Sequence, residues 1–400
     1  MDEKPLKDKK WAMKTAIVSC YFKHNYGSML QAYATQMALD NLNIENETIN
    51  ISGFWSQHRK KQMKYFAKAA LTSDILLSKA GMAENVVRKK LPGSKYAQNI
   101  KRRDEKFKEF KKEYFNLTEP LPSISALSEY TKDHYSSVLV GSDQLWLPAN
   151  IAGDYYTLNW VPEVLNTVSY ATSFGQSTLP QKSTEKARIF LNRIKHLSVR
   201  EVSGQKLIKE LIGRDAPVVC DPTLLFTGEE WMLIQQKESI INEPYIFVYF
   251  LGSNPPHREF VKRLKAETGC KIVALIHLDE YIKGDDNYAD ETPWNIGPAE
   301  FLNLIRNASY ICTDSFHCSV FSMLYERNFF SFRRYTRKTT FSTNSRLDTL
   351  FTTTGISNRI LNGNEMVTEC LGRKINYDSV LENIKNFREF SMKYLISSLK

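Results

Sequence analysis

The sequence predicts an α/β protein of two Rossmann-like domains, each a mostly parallel sheet with helices on both faces. Three observations carry this. Short apolar, β-rich runs alternate with stretches of helical periodicity along most of the chain. Several of those runs stop at small or polar residues, as buried parallel strands do. A polar stretch from 227 to 243 divides the alternation into two series. A length of 400 residues suits two domains. The expected limits are 13–235 for the first domain, with an insertion at about 56–115, 243–376 for the second, and 377–400 for a final helix.

In the first series Lys14–Cys20 (KTAIVSC) reads as a buried strand, and Met29–Leu39 has helical spacing. The loop between them ends in Asn25-Tyr26-Gly27-Ser28. This is a βα unit whose helix N-terminus offers free N–H groups and a positive dipole end. It is not GxGxxG, so no dinucleotide site follows. Glu45–Ile51 alternates like a strand. Ser137–Val140 is a strand that ends at Gly141-Ser142-Asp143-Gln144, where open α/β sheets build their sites. Thr167–Phe174 is a strand, and Ser183–Lys195 a helix capped by Ser183. His196–Arg200 is a strand, Ser203–Ile212 a helix stopped at Gly213, and Pro217–Cys220 a strand ending in Asp221-Pro222-Thr223.

The second series has strands at Tyr245–Leu251, Lys271–Ile276, Tyr310–Cys312 and Phe329–Phe332. Its helices are Arg258–Thr268, Pro298–Asn307, Cys318–Tyr325 and Ser345–Thr353. Tyr377–Lys400 is an amphipathic helix free to pack back across both halves.

Composition excludes several classes. With 42% hydrophobic and 24% charged residues, wholesale disorder is ruled out. No apolar run approaches the ~18 residues of a membrane span. The charged start, Met1–Met13, precedes an apolar stretch too short for a signal peptide. A cytoplasmic protein is expected. The six cysteines show no CxxC or zinc-finger spacing and read as small buried hydrophobes, with Cys20, at a strand end, the one to watch. No Gly-x-Ser-x-Gly elbow, P-loop, HExxH or Asp-x-Asp pattern is present, so hydrolase, NTPase and metalloprotease readings have no support and no metal is suggested.

The net charge of +10 is concentrated. Seventeen Lys and Arg stand against six acids between His58 and Glu113. Apolar residues interleave with them, and the stretch is expected to be helical. Such an insertion suits an anionic membrane surface or a polyanionic ligand; the alternative is a solvated face with no partner. No nucleic-acid-binding signature accompanies it, so nucleic acid is not expected as a partner.

Three polar clusters mark the chemistry. Thr313-Asp314-Ser315-Phe316-His317 places His317 at a helix start, where an imidazole can bind phosphate or move a proton. The alternative is a core histidine bonded to a backbone carbonyl. In Ser198-Val199-Arg200-Glu201, an arginine at a buried strand end needs a carboxylate or phosphate; the alternative is an internal ion pair with Glu201. In Asn344-Ser345-Arg346, Asn or Ser caps a late helix and Arg346 adds a fork of donors, or is a plain surface arginine.

Together these segments resemble the polysaccharide pyruvyl transferase family. Carrying the resemblance are Asn25-Tyr26-Gly27 with Leu30-Gln31-Ala32-Tyr33, Val140 to Trp146, Ser169 to Gly175, Ser198 to Glu201, Asp221 to Leu225, Thr313 to His317, and Asn344 to Arg346. The resemblance implies a GT-B-like architecture with the site in the cleft between domains. It further implies transfer of pyruvate from phosphoenolpyruvate onto a sugar as a ketal, in cell-surface polysaccharide synthesis, with no cofactor beyond that donor. Arg200 and His317 match the family's arginine and histidine at the donor site, and Arg346 is a second candidate for the anions. Asp143 is the candidate for the acceptor hydroxyl. Asn344, Ser345, Ser315, Asn25, Tyr26, Gly27, Ser142 and Gln144 complete the expected substrate-binding set. The chain departs from the family at Cys318, where glycine is usual; a side chain there would crowd the donor phosphate or point away. The basic insertion lies outside the matching pattern. With a lipid-diphosphate-linked acceptor, it would hold the enzyme peripherally at the inner face of the cytoplasmic membrane. Two other readings stay open here. One is a nucleotide-sugar glycosyltransferase on the same fold. The other is a non-catalytic polysaccharide-assembly protein, which Cys318 favours.

Overall fold

The structure is a computed structural model that describes residues 14–69, 95–276, 281–335 and 344–400. The first half contains β1 (Thr15–Val18), α1 (Tyr26–Asn41), β2 (Asn46–Thr48), α2 (Trp55–Ala69), α3 (Lys95–Tyr114), α4 (Ile124–His134), β3 (Ser137–Asp143), α5 (Pro148–Gly153), β4 (Asn166–Thr172), α6 (Gln181–Arg193) and α7 (Val202–Ile212). A short α8 (Gly228–Trp231) follows. The second half contains β5 (Tyr245–Tyr249), α9 (Pro255–Thr268), β6 (Lys271–Ala274), α10 (Pro298–Asn307), β7 (Tyr310–Thr313), α11 (Phe316–Leu324), β8 (Phe329–Phe332), α12 (Ser345–Thr354), β9 (Ile360–Leu361), α13 (Val367–Gly372) and α14 (Tyr377–Leu399).

Both sheets are parallel. The first runs β2-β1-β3-β4 and the second β6-β5-β7-β8-β9. In each, the chain builds outward on one side, then crosses to the other: between β1 and β3 in the first, between β5 and β7 in the second. At such a crossing the loops leaving the two strands diverge and open a crevice at their C-terminal ends. The first crevice collects the residues after β1 and β3, including Asn25, Asp143 and Gln144. The second collects those after β5 and β7, including Leu251, Ser315 and His317. The two crevices together form one interdomain cleft. This is the GT-B-like architecture that the resemblance implies.

Apolar packing joins the halves. One continuous core includes Ile17, Leu30 and Leu139 of the first half and Phe247, Phe301 and Phe321 of the second. The Tyr26 ring lies parallel to that of Phe301 at 4.5 Å, and its hydroxyl donates to the Ile296 carbonyl. α14 returns across both halves. Tyr394 OH donates to the Ser169 carbonyl, and the Cys220 N–H donates to Ser391. Near its start, Tyr377 OH donates to the Arg327 carbonyl.

Three sequence expectations change. His196–Arg200 and Pro217–Cys220 are not regular strands, although Val199 bridges Thr172 on one side and Val218 on the other. Serine side chains replace ladder bonds there: the Ser198 N–H donates to Ser169 Oγ and the Ala171 N–H to Ser198 Oγ. Ser183 does not cap its helix. α6 starts two residues earlier, after Pro180, whose fixed φ suits a helix start, and Ser183 is buried within it. Asn344 has helical dihedrals and makes no cap bond; its amide donates to the Tyr335 carbonyl.

The basic insertion is helical where it is described, in α2 and α3; residues 70–94, with the bases at 79, 88, 89 and 90, lie outside the described residues. α3 is not a free arm. It buries Ile100, Phe107 and Phe110, and Arg103 donates to the carbonyls of Ile276, Pro293 and Trp294 in the second half. Lys106 pairs with Glu300 at 3.1 Å. Among the described residues, no helix is long and apolar enough to cross a membrane.

Candidate functional site

The interdomain cleft has a volume of about 480 Å³. The first half lines it with Phe22, Lys23, His24, Asn25, Ser28, Trp55, Asp143, Gln144 and Leu147; the second half adds Leu251, Ser315, Phe316, His317, Arg334 and Arg346.

Asn25 and Ser315 are helix caps. Asn25 Oδ1 accepts from the Ser28 N–H at 3.0 Å, and Ser315 Oγ accepts from the Cys318 N–H at 3.4 Å. Each cap takes one donor; the N–H groups of the first two residues of α1 and α11 have no partner among the described residues, and the helix starts face the cleft. Asp143 closes β3 with φ at +69°, a left-handed conformation uncommon outside glycine, and this turns the chain at the cleft wall. Asp143 Oδ2 accepts from Ser28 Oγ at 2.7 Å, and Oδ1 accepts from Arg200 at 3.2 Å.

Arg200 stands behind this wall rather than in the cleft. Its side chain is 1% exposed. It pairs with Asp143 at 3.2 Å and Asp221 at 2.6 Å, and its guanidinium lies 4.5 Å from the centre of the Phe316 ring. The alternative, an internal ion pair with Glu201, is not formed among the described residues: Glu201 accepts from Ser173. Asp221 is the hub. It takes Ser142 Oγ at 3.0 Å and the N–H of Thr223, and its Oδ2 lies 3.4 Å from His317 Nε2. Hence His317 Nε2, which has no hydrogen-bond partner among the described residues, faces a carboxylate from the other domain and not a backbone carbonyl.

The charges set the protonation states. Burial would raise the Asp143 carboxyl, but Arg200, His317, Lys23 and Arg346 together hold it well below the usual carboxylate range. Asp221 is lowered against the same burial effect by His317 and Arg200. Arg346 is pushed down to about 10 by burial and by the neighbouring Arg200 charge. The Cys20 thiol lies 3.8 Å from Asp143 and is pushed up to about 12 by burial and that carboxylate, so it stays protonated and unreactive.

The structure therefore brings His317, Asp143, Arg346, Ser315, Asn25 and Gln144 to one cavity. It places the other six elsewhere, Arg200 behind the wall as described. Tyr26 is in the interdomain packing. Ser142 supports Asp221. Ser345 Oγ bonds Ser203 Oγ on α7, and Asn344 holds the Tyr335 carbonyl. Gly27 is absent from the wall for a steric reason: a Cβ built there would lie 2.0 Å from His317 Nδ1, so α1 and α11 meet at this residue. Cys318 is buried in the apolar core and points away from the cleft. Ser28, Asp221, Lys23, Trp55 and Arg334 were not singled out as site residues from the sequence. Asp221 and Arg334 each follow a strand-like segment at its C-terminal end, which is the signal that marks Asp143.

Two Rossmann-like domains facing across a cleft of arginines, a helix-start histidine and an ionised aspartate give the protein a GT-B-like architecture with a polar interdomain site. The chain belongs to the polysaccharide pyruvyl transferase family, whose model matches residues 25–334. This makes polysaccharide pyruvylation its broad activity class. No curated protein matches it. Among solved structures, it is similar to a Listeria monocytogenes protein described as a UDP-N-acetylglucosamine 2-epimerase, with 10% identity, 97% of this chain and 96% of that chain covered, and a TM-score of 0.55. It is similar too to S. aureus MnaA, solved with UDP, with 11% identity, 96% and 94% covered, and a TM-score of 0.50. At such identities the likeness is one of fold alone.

Proposed function

We propose that the protein transfers pyruvate from phosphoenolpyruvate onto two hydroxyls of one sugar, releasing phosphate, during synthesis of a cell-surface polysaccharide. The observation that carries the reading is the meeting of His317, Arg346 and the α11 N-terminus with Asp143 of the other domain in one cleft. His317 gives a proton to the donor's methylene carbon, leaving its central carbon electron-poor. A sugar hydroxyl adds there and passes its proton to the His317 imidazole that has just given one up. Phosphate then leaves with the C–O bonding pair, and a second hydroxyl of the sugar closes the ketal, its proton leaving on the phosphate. Arg346 and the helix N–H groups favour the departing phosphate. Asp143 is too weak a base to carry a proton away at neutral pH. It accepts a hydrogen bond from the incoming hydroxyl and its fixed negative charge stabilises the cationic carbon.

The wild-type protein should show a thermal shift with phosphoenolpyruvate, and His317→Ala should lose it; a ligand at a hundred times its Kd stabilises by about 2.7 kcal/mol. A shift with a nucleotide sugar and none with phosphoenolpyruvate would replace the reading with glycosyl transfer.

We further propose a lipid-linked acceptor reached at an anionic membrane surface on the cytoplasmic side. What supports this is α2, where Arg59, Lys60, Lys61 and Lys64 are exposed together with Met63 and Phe66, on the helix that brings Trp55 to the cleft. Each base near such a surface contributes about 1 kcal/mol. Wild-type protein should float with anionic liposomes, and a variant neutral at those four positions should remain at the bottom of the gradient. Equal flotation of the two defeats the idea. Arg103 and Lys106 must be left intact, because they hold the second domain.

A further inference from the structure

Arg334 differs from Arg200 in how its charge is met. Arg200 is enclosed by two carboxylates; the Arg334 side chain keeps 23% exposure and lines the cleft. Its guanidinium makes only loose contacts with protein, both to Asp314. Nε lies 3.7 Å from Asp314 Oδ2, too far for a hydrogen bond, and one terminal nitrogen donates to the Asp314 carbonyl at 3.3 Å. The Asp314 carboxylate is itself occupied, accepting from the N–H groups of Leu251 at 2.6 Å and Gly252 at 2.8 Å. Nε is buried without a hydrogen-bond partner. Nη1 makes no hydrogen bond among the described residues. Arg346 lines the same cavity, and the Arg334 charge is one of those that disfavour its own. A guanidinium that lines a cleft, with its Nε unbonded and its nearest carboxylate already occupied, calls for an anion beside it.

The cleft offers two unlike anion receptors. The α11 N-terminus, with Ser315 and His317 beside Arg346, presents convergent N–H groups and a dipole, which suit a compact dianion such as a phosphate ester. Arg334 presents a planar fork on an anchored stem, which suits the two coplanar oxygens of a carboxylate.

We propose that Arg334 is the carboxylate-binding arm of the cleft, holding the carboxylate of a small phosphorylated carboxylic acid whose phosphate sits at the α11 N-terminus with Arg346 and His317. The proposal rests on the donor reading above and gives it a geometry. Arg334 and the helix start fix the donor at both ends, with its reacting carbons between them and in reach of the wall that carries Asp143. Arg200 does not touch the donor; it keeps Asp143 and Asp221 in place.

The test is isothermal titration of the full chain with phosphoenolpyruvate and, separately, with inorganic phosphate, at constant ionic strength. Arg334→Met is expected to weaken phosphoenolpyruvate binding at least tenfold and to leave phosphate within twofold. Arg334→Lys restores charge but not the fork, and is expected to remain at least threefold weaker for phosphoenolpyruvate; it gives the same ratio if the methionine variant does not fold. An equal loss for both ligands would assign Arg334 a general electrostatic role and overturn the proposal, as would unchanged binding of both. A wild type that binds phosphoenolpyruvate no more tightly than phosphate would overturn the donor reading itself.

Discussion

Replacing Gly27 by Ala should abolish the phosphoenolpyruvate-induced thermal shift and lower stability by about 1–2 kcal/mol, through contact with one residue. Alanine is the better helix former by about 1 kcal/mol, so on helix propensity alone the substitution in α1 stabilises. The built Cβ, however, falls 2.0 Å from His317 Nδ1 and 2.4 Å from its Cγ. The imidazole has little room to yield, with Asp221 at its Nε2 and Phe316 packed edge-on against it. Overpacking of this kind costs about 1–3 kcal/mol, enough to outweigh the propensity gain. The cost should shrink when the ring is removed: in a His317→Ala background only the Cβ of residue 317, 2.8 Å from the built Cβ, still opposes Gly27→Ala, so the substitution should cost about 1 kcal/mol less than in the wild type. Denaturant unfolding of the four proteins measures this as a coupling energy. A coupling below about 0.5 kcal/mol would mean that α1 and α11 do not meet through this pair.

The same contact shows what a sequence does and does not reveal. Asn25-Tyr26-Gly27 and Thr313 to His317 were each visible as polar or small residues between a strand and a helix, because that position is fixed by local pattern. That Gly27 serves His317 was not visible, since 290 residues separate them and only the packing of α1 against the second domain brings them together. The fold was legible for a related reason: buried parallel strands are short apolar runs, and KTAIVSC or YIFVYFL has no other stable place. His196–Arg200 was misread as a regular strand because Ser169 and Ser198 use hydroxyls where the ladder would use backbone. Arg200 was read correctly as a charge in need of an anion. The anion is supplied by the protein, from Asp143 and Asp221, and no local feature distinguishes that from a ligand site. Trp55 gave no signal at all, because it reaches the cleft from a helix outside the matching motifs.

That placement of Arg200 leads to the second large effect. Arg200→Met should destabilise the protein by about 3–5 kcal/mol at neutral pH, the loss expected when one partner of a buried ion pair is removed and the other charge remains. Here two carboxylates, Asp143 and Asp221, are left facing a buried apolar side chain. The pH dependence identifies the cause. In the wild type both carboxyls are held below their ordinary value, so the stability they contribute is complete above about pH 4 and is lost as pH falls through their lowered native values. Without the guanidinium, burial is opposed by less positive charge and both carboxyls move up. The folded variant then binds protons more readily than the unfolded chain, and it gains stability as pH falls from 7 toward 4. The gap between the two proteins should therefore be widest at neutral pH and narrow on acidification. Denaturant unfolding of both proteins across that range measures it. A gap that stays constant with pH would mean that Arg200 acts by packing alone. A variant as stable as the wild type that no longer binds phosphoenolpyruvate would return Arg200 to the donor site. The buried guanidinium predicts neither, because a cation enclosed by two carboxylates and an aromatic ring has its charge already matched from within the protein.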